Sequence, residues 1–134
     1  MKPAPLLLER YFLTNLNIIV IPGFDPKQGH RYKFDNFQNT VNITTNKDFP
    51  GLWQVELSLK YLHGTKENIP YDFGLKLVGF FAVHPKWPKN QIEALVKING
   101  PAILYSAARE IIAQVTGRGQ WGPMLLPAVN FIDR

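Results

Sequence analysis

The sequence predicts an α+β fold in which a four-stranded antiparallel sheet packs against a short and a long C-terminal helix. Two observations lead to this class. Apolar residues alternate along most of the first part of the chain, and they recur with helical spacing toward its end. The chain has 134 residues, of which 46% are hydrophobic, so we expect one domain, residues 1–134, around a single core.

Four segments have the composition and alternation of strands: residues 6–22, 39–47, 52–63 and 71–83. Asn15 and Asn17 break the alternation of the first segment, as a β-bulge does. The third segment is the most regular, because apolar residues occupy every second position from Trp53 onward. A sheet with one apolar face needs a second layer, and the helices that follow supply it.

A short helix is predicted for residues 89–98, and a long one from Gly100-Pro101 to the glycines at 117 and 119. Proline fits the first turn of a helix, and glycine suits a left-handed cap at its end. Apolar residues cover roughly 200° of the long helix, whereas contact with one core needs little more than about 100°. The wide arc predicts two neighbours, the second in another subunit. The alternative is the ordinary core of a monomer.

The connection between the first two strands, residues 23–38, is rich in aromatic residues. They are Phe24, Tyr32, Phe34 and Phe37. Loops normally run over the surface, where exposed rings lower solubility. The rings therefore either dock on the sheet of their own chain or form an apolar surface for another molecule, and the sequence leaves both readings open.

The composition limits which cellular compartments and which classes of partner are expected for this protein. The net charge is +5 and there is no cysteine, which fits a reducing compartment. The basic residues are dispersed, so a solvated positive surface is favoured over a basic binding module for nucleic acid or anionic surfaces. The first apolar run is too short for a signal peptide, and no segment has the roughly 18 apolar residues of a membrane span. We expect a cytoplasmic protein.

No catalytic, metal or cofactor site is predicted. His30, His63 and His84 stand far apart without a paired ligand, which argues against zinc. Neither serine lies in a nucleophile motif, and the carboxylates are dispersed. The glycine-rich stretch 117–122 follows a helix instead of opening one, so it does not match a dinucleotide-binding loop. The sequence therefore disfavours an enzyme, including one built around a small-ligand pocket.

Several short motifs near the end of the chain occur together at specific spacings. They are Pro101, Ile103-Leu104-Tyr105, Ala108-Arg109-Glu110, Arg118-Gly119 and Val129-Asn130-Phe131. With these motifs, residues 100–131 resemble the C-terminal half of SecB, the bacterial protein-export chaperone family. The order of the earlier elements agrees as well, so the resemblance implies a SecB-like fold.

The resemblance implies an ATP-independent chaperone that holds unfolded or non-native polypeptides in apolar grooves. It also implies a homotetramer, a dimer of dimers whose long helices lie between the sheets. The residues expected in the client-binding groove are Phe24, Tyr32, Phe34, Phe37, Trp53 and Phe131. The residues expected in the oligomer interface are Phe73, Leu75, Leu77, Leu104, Ala108, Ile111 and Val115. Arg109 and Glu110 would belong to the subunit contact, or else form a solvated pair.

The sequence departs from the export members of this family where they bind the motor protein SecA. Those members are acidic and continue after Val-Asn-Phe into a second helix and a tail that binds zinc and SecA, whereas this sequence ends at Arg134. Their acidic sheet positions correspond to Asn15, Ile19, Asp72 and Gly74, of which only Asp72 is acidic. Docking to SecA is therefore not expected. Besides protein export, the resemblance points to solitary SecB-like chaperones linked to toxin–antitoxin systems.

Overall fold

The computed structural model describes residues 4–29, 36–49, 51–64 and 67–132. Its strands are β1 (Leu6–Val20), β2 (Phe37–Thr45), β3 (Leu52–Tyr61) and β4 (Tyr71–Val83). A single 3₁₀ turn, Lys89–Gln91, leads directly into one helix, α1 (Ile92–Thr116). The predicted class, a four-stranded antiparallel sheet with a long C-terminal helix, is confirmed.

The strands lie in the order β1-β4-β3-β2, and every neighbouring pair is antiparallel. β1 and β2 are therefore the two edges of the sheet. The pairing of β1 with β4 shifts between Leu8 and Arg10 and again between Leu13 and Asn15. The second shift lies beside the first of the two asparagines that interrupt the alternation of the sequence. We call the sheet face under α1 the inner face and the opposite one the outer face.

The prediction of a separate short helix is wrong. α1 is continuous over 25 residues and contains Pro101, and both Gly100 and Pro101 are buried in it. At Gly100 the helix passes so close to β3 that a Cβ atom there would lie 3.0 Å from Cγ2 of Val55. A Cβ atom on Gly79 of β4 would lie 2.8 Å from Cδ2 of Leu104. The Gly-Pro pair thus lies where helix and sheet approach each other closely, and this packing outweighs the local preference of proline for a first turn.

The end of α1 also differs from the sequence-based expectation. Gly117 caps the helix in a right-handed conformation, with φ −57°, and the left-handed glycine is Gly122, with φ +78°. The hydroxyl of Tyr71 holds the turn between them. It accepts a hydrogen bond from the backbone N–H of Trp121 at 3.0 Å and donates one to the carbonyl oxygen of Gly122 at 2.9 Å.

The core lies between the inner face and α1, and the segment after the helix closes one side of it. Residues 123–130 have no regular secondary structure, as their prolines predict, yet Met124 and Leu126 are fully buried. Completely enclosed core residues from the sheet and the helix are Val55, Leu57, Tyr61, Tyr71, Leu77, Phe81, Val96, Leu104, Ala108 and Ile112. Within the part of the chain that the structure describes, no helix is long and apolar enough to cross a membrane.

Candidate functional site

A long groove lies on the inner face between β2 and the N-terminal half of α1. The helix packs mainly on β4 and β3, and it leaves the inner face of the edge strand β2 partly open. Val41 and Ile43 of β2 point to this face and remain half-buried, whereas their neighbours Thr40, Asn42 and Thr44 point to the outer face and are exposed. The alternation of β2 therefore gives the groove an apolar floor.

Two concave spaces follow each other along β2, and we call them together the β2 groove. The first has a volume of about 530 Å³ and is lined by Asn39, Thr40, Val41, Ile43 and Lys97. The second has a volume of about 500 Å³ and is lined by Thr45, Asn46, Lys47, Gly51, Trp53, Lys89, Ile92 and Glu93. Glu93 and Lys97, one helical turn apart, form an ion pair of 2.9 Å on the helix wall shared by both spaces. The groove is thus shallow and elongated, which suits an extended ligand.

Aromatic residues pack together beyond the first space, where β2 begins. The ring of Phe37 lies edge-on to Tyr61, Phe73 and Tyr105, at centroid distances of 6.0, 5.9 and 6.4 Å. Tyr105 of α1 in turn contacts Phe131 at 5.8 Å. The hydroxyl of Tyr105 donates a hydrogen bond to the carbonyl oxygen of Pro127, which ties the C-terminal segment to the helix.

The residues predicted for the client-binding groove lie in different environments. Trp53 lines the β2 groove, and half-buried Phe37 lies near its end. Phe131 is only 5% exposed and packs in the aromatic cluster. Phe24 is 8% exposed and packs edge-on against Trp121 at 5.5 Å, so this ring docks on its own chain. Tyr32 and Phe34 lie outside the described residues.

The residues predicted for an oligomer interface divide into two groups. The first group is buried by the chain itself and consists of Phe73, Leu75, Leu77, Leu104 and Ala108. The second group stays accessible: Ile111 is half-buried and Val115 is 39% exposed. Of the predicted set, only the second group can offer surface to a partner without a change in the fold of one chain.

Ile111 and Val115 belong to a stripe on the side of α1 that faces β1. The ring of Tyr105 contacts β2, and Ala107 lies about 200° around the helix from Tyr105, so Ala107 is on the opposite side of α1. Ile111 and Val115 follow Ala107 at intervals of four residues and therefore lie on the same side as Ala107. Two β1 residues on the inner face extend this surface: Tyr11, 43% exposed, and Leu13, 41% exposed. We define the β1 flank as Tyr11, Leu13, Ala107, Ile111 and Val115.

Sequence reasoning missed the two β1 residues of this flank. Leu13 pairs with buried Leu77, which fixes its side chain on the inner face, yet α1 does not cover it. The register shifts at Leu8 and Leu13 change which residues of β1 face the helix, so simple alternation cannot assign them. The break in the apolar alternation at Asn15 was the feature of the sequence that could have indicated the second register shift.

Some polar residues of the outer face have partners within the chain. Lys76 and Glu56 form an ion pair of 2.7 Å on the outer face. Asp72 accepts a hydrogen bond from the backbone N–H of His63 at 2.8 Å, and the Nδ1 atom of His63 lies 3.0 Å from the same carboxylate oxygen. The one acidic residue at the four SecA-related positions therefore already has a partner.

Arg109 and Glu110 do not pair with each other among the described contacts. The Nε–H of Arg109 donates a hydrogen bond to the carbonyl oxygen of Leu126 at 3.0 Å, and Glu110 accepts one from Gln114 at 3.4 Å. Arg109 thus fastens the C-terminal segment to α1. Among residues 4–29, 36–49, 51–64 and 67–132, no group of three His, Cys, Asp or Glu residues could hold a metal ion.

Comparisons with known proteins agree with this architecture. The model of one protein family, described as preprotein translocase subunit SecB, matches residues 30–133. The protein-export protein SecB of Hyphomonas neptunium is 30% identical over 92 residues, which are 69% of this chain and 55% of the relative. That of Cellvibrio japonicus is 31% identical over 96 residues, which are 72% of this chain and 57% of the relative. The chain spans little more than half the length of these relatives.

A solved structure shares the fold at lower sequence identity. It is the SecB-like chaperone of Mycobacterium tuberculosis in complex with a ChAD peptide from the HigA1 antitoxin. The two chains superpose with a TM-score of 0.69 and 16% identity, and the alignment covers 94% of this chain and 91% of the other. Since the family model spans most of the sequence and the fold is the same, the chain belongs to the SecB family.

Proposed function

We propose that this protein is a chaperone that binds unfolded or non-native polypeptides in the β2 groove without using ATP. The observation that carries the proposal is the groove itself, which is long, open and floored by Val41, Ile43 and Trp53. Apolar burial contributes about 25 cal/mol per Å² and does not depend on a particular sequence. A floor of this kind suits many different extended segments, as a general chaperone requires.

Binding of an unfolded chain would delay its folding and its aggregation by mass action. Each short apolar segment contributes modestly, and several segments of one client bind together through avidity. The relatives that carry the name protein-export protein SecB support a chaperone role, and the peptide bound to the M. tuberculosis protein shows that the fold can accommodate a polypeptide in that relative.

A second copy is proposed to cover the β1 flank, which would give a dimer and, through the helices, a tetramer. The residues of the flank are largely apolar, and they are accessible or half-buried in one chain. A patch of this kind on a single subunit is typical of a permanent contact between copies. The β2 groove lies on the other side of α1 and would stay open in such an assembly.

We propose a role outside SecA-dependent export, such as protection of an aggregation-prone antitoxin. Asn15, Ile19 and Gly74 carry no negative charge, and Asp72 is occupied by His63. Without a negative patch, the outer face offers little attraction to a basic partner. A pull-down with purified SecA tests this point, and binding as strong as that of an acidic SecB would contradict it.

Light scattering during dilution of a urea-denatured client protein tests the chaperone proposal. We expect the wild-type protein to suppress aggregation without ATP and Val41→Asp to lose most of this activity, because the charge lies on the groove floor. Thr44→Asp is the matched control, since Thr44 is exposed on the outer face of the same strand and lines neither space of the groove. Unchanged aggregation with the wild-type protein, or equal activity of the two folded variants, would overturn the proposal.

A further inference from the structure

The rim of the β2 groove is positively charged. Lys47 after β2, Lys89 in the 3₁₀ turn and Lys97 on α1 all line it and are all exposed. Glu93 is the acidic residue among the lining residues of the two spaces, and it is paired with Lys97 at 2.9 Å. Three cations thus face one anion around an apolar floor.

Two of these lysines have no anionic partner among the residues that the structure describes. Neither Lys47 nor Lys89 forms an ion pair with any carboxylate of the described residues, whereas Lys76 on the outer face is paired with Glu56. Both lysines line the second space, as does Trp53. The net charge of +5 adds a long-range attraction for anions to this local field.

We infer that the β2 groove selects extended polypeptide segments in which apolar side chains are flanked by aspartate or glutamate. The inference rests on the proposed function and adds a charge preference to it. The floor accepts the apolar side chains, while Lys47, Lys89 and Lys97 attract the flanking carboxylates. A segment with lysine or arginine at the same places meets like charges, so the groove rejects it.

The chemistry of the floor favours a polypeptide over a nucleic acid. Single-stranded nucleic acid binds through aromatic rings on which successive bases stack. Trp53 is the one aromatic side chain among the residues that line the two spaces, and the rest of the apolar floor is aliphatic. Aliphatic side chains beside isolated cations suit a segment of mixed apolar and acidic residues.

The test uses three fluorescent peptides that share the same apolar residues and carry glutamate, lysine or glutamine at the same flanking positions. Fluorescence anisotropy measures their dissociation constants with the full chain. At low salt we expect the glutamate peptide to bind about tenfold more tightly than the lysine peptide, since each exposed charge pair contributes little. At about 0.5 M salt the ratio should fall toward one.

Charge reversal locates the effect. The double variant Lys47→Glu and Lys89→Glu should invert the preference, so that the lysine peptide binds more tightly. The matched control is Arg10→Glu with Lys60→Glu, which lowers the net charge by the same amount on the outer face. This control should keep the preference for the glutamate peptide. Circular dichroism of both double variants verifies that they are folded.

The outcomes separate this inference from the proposed function. If all three peptides bind with equal affinity, or if both double variants lose the preference equally, the charge inference is overturned while the chaperone proposal stands. If none of the three peptides binds, both are overturned. If a single-stranded oligonucleotide binds through Lys47 and Lys89 while the peptides show no preference, the groove takes nucleic acid, and the inference is again overturned.

Discussion

The two sides of α1 differ in chemistry although they belong to one helix. On the β1 side, Ala107 and Ile111 of α1 are half-buried, Tyr11 and Leu13 of β1 are exposed, and all four side chains are largely apolar. On the β2 side, an apolar floor is bordered by lysines, asparagines and threonines. A permanent contact excludes water over a wide area, whereas a reversible one keeps polar groups at its rim. The difference suggests that the β1 flank holds a second copy and the β2 groove exchanges its ligands.

The largest expected effect comes from a charge on the β1 flank. Ala107→Arg places a guanidinium group in the proposed contact between copies, where a charge without a partner costs about 3–5 kcal/mol. We expect the assembly to dissociate to monomers in light scattering, while each monomer still binds a client peptide.

Ala102→Arg is the matched control, because Ala102 lies on the exposed side of the same helix. It should leave the mass unchanged. A wild-type protein that is monomeric at working concentrations, or a loss of client binding together with the loss of assembly in Ala107→Arg, would remove the distinction between the two sides.

The sequence predicts a structural feature well when the feature depends on local interactions, and poorly when it depends on contacts between residues distant in the chain. The bounds predicted for the fourth strand, residues 71–83, are those of β4, because the alternation of residues 71–77 and the apolar run that follows it are local signals. The start of α1 was mispredicted, because the packing of Gly100 against Val55 joins residues distant in the chain. The wide apolar arc was real, but it combines a core face with the β1 flank.

The charged rim of the groove could not be predicted from the sequence. In the sequence, β3 and β4 separate Lys47 from Lys89 and Lys97, and the three lysines line one groove only because α1 packs on the inner face beside β2. A search for runs of basic residues therefore found dispersed charge. The aromatic residues of the 23–38 connection are evident in the sequence. The packing of Phe24 against Trp121 could not be predicted, because the two residues are distant in the chain.

The second-largest effect is expected on stability, from a substitution in the core-facing side of α1, the helix that separates the β1 flank from the β2 groove. Leu104 is completely buried beneath α1, and the absence of a side chain at Gly79 makes room for it. We expect Leu104→Ala to lower the free energy of unfolding by about 3 kcal/mol, because the cavity loses both burial and packing. Urea unfolding measures it, with Ile98→Ala as the control, since Ile98 is 37% exposed. A loss below about 1 kcal/mol would mean that the helix is not fixed by this contact.

The smallest effect should appear in the groove alone. Trp53→Ala removes the largest apolar side chain of the floor at a half-buried position on β3. The client peptide should bind about five- to twentyfold more weakly, equivalent to about 1–2 kcal/mol of lost apolar contact. The assembly mass should stay that of the wild type, because Trp53 lies on the side of α1 away from the β1 flank.

Gln54→Ala, one residue along β3 and on the outer face, should change neither the peptide affinity nor the assembly mass. If Trp53→Ala instead dissociated the assembly and left peptide binding intact, the roles proposed for the two sides of α1 would have to be exchanged.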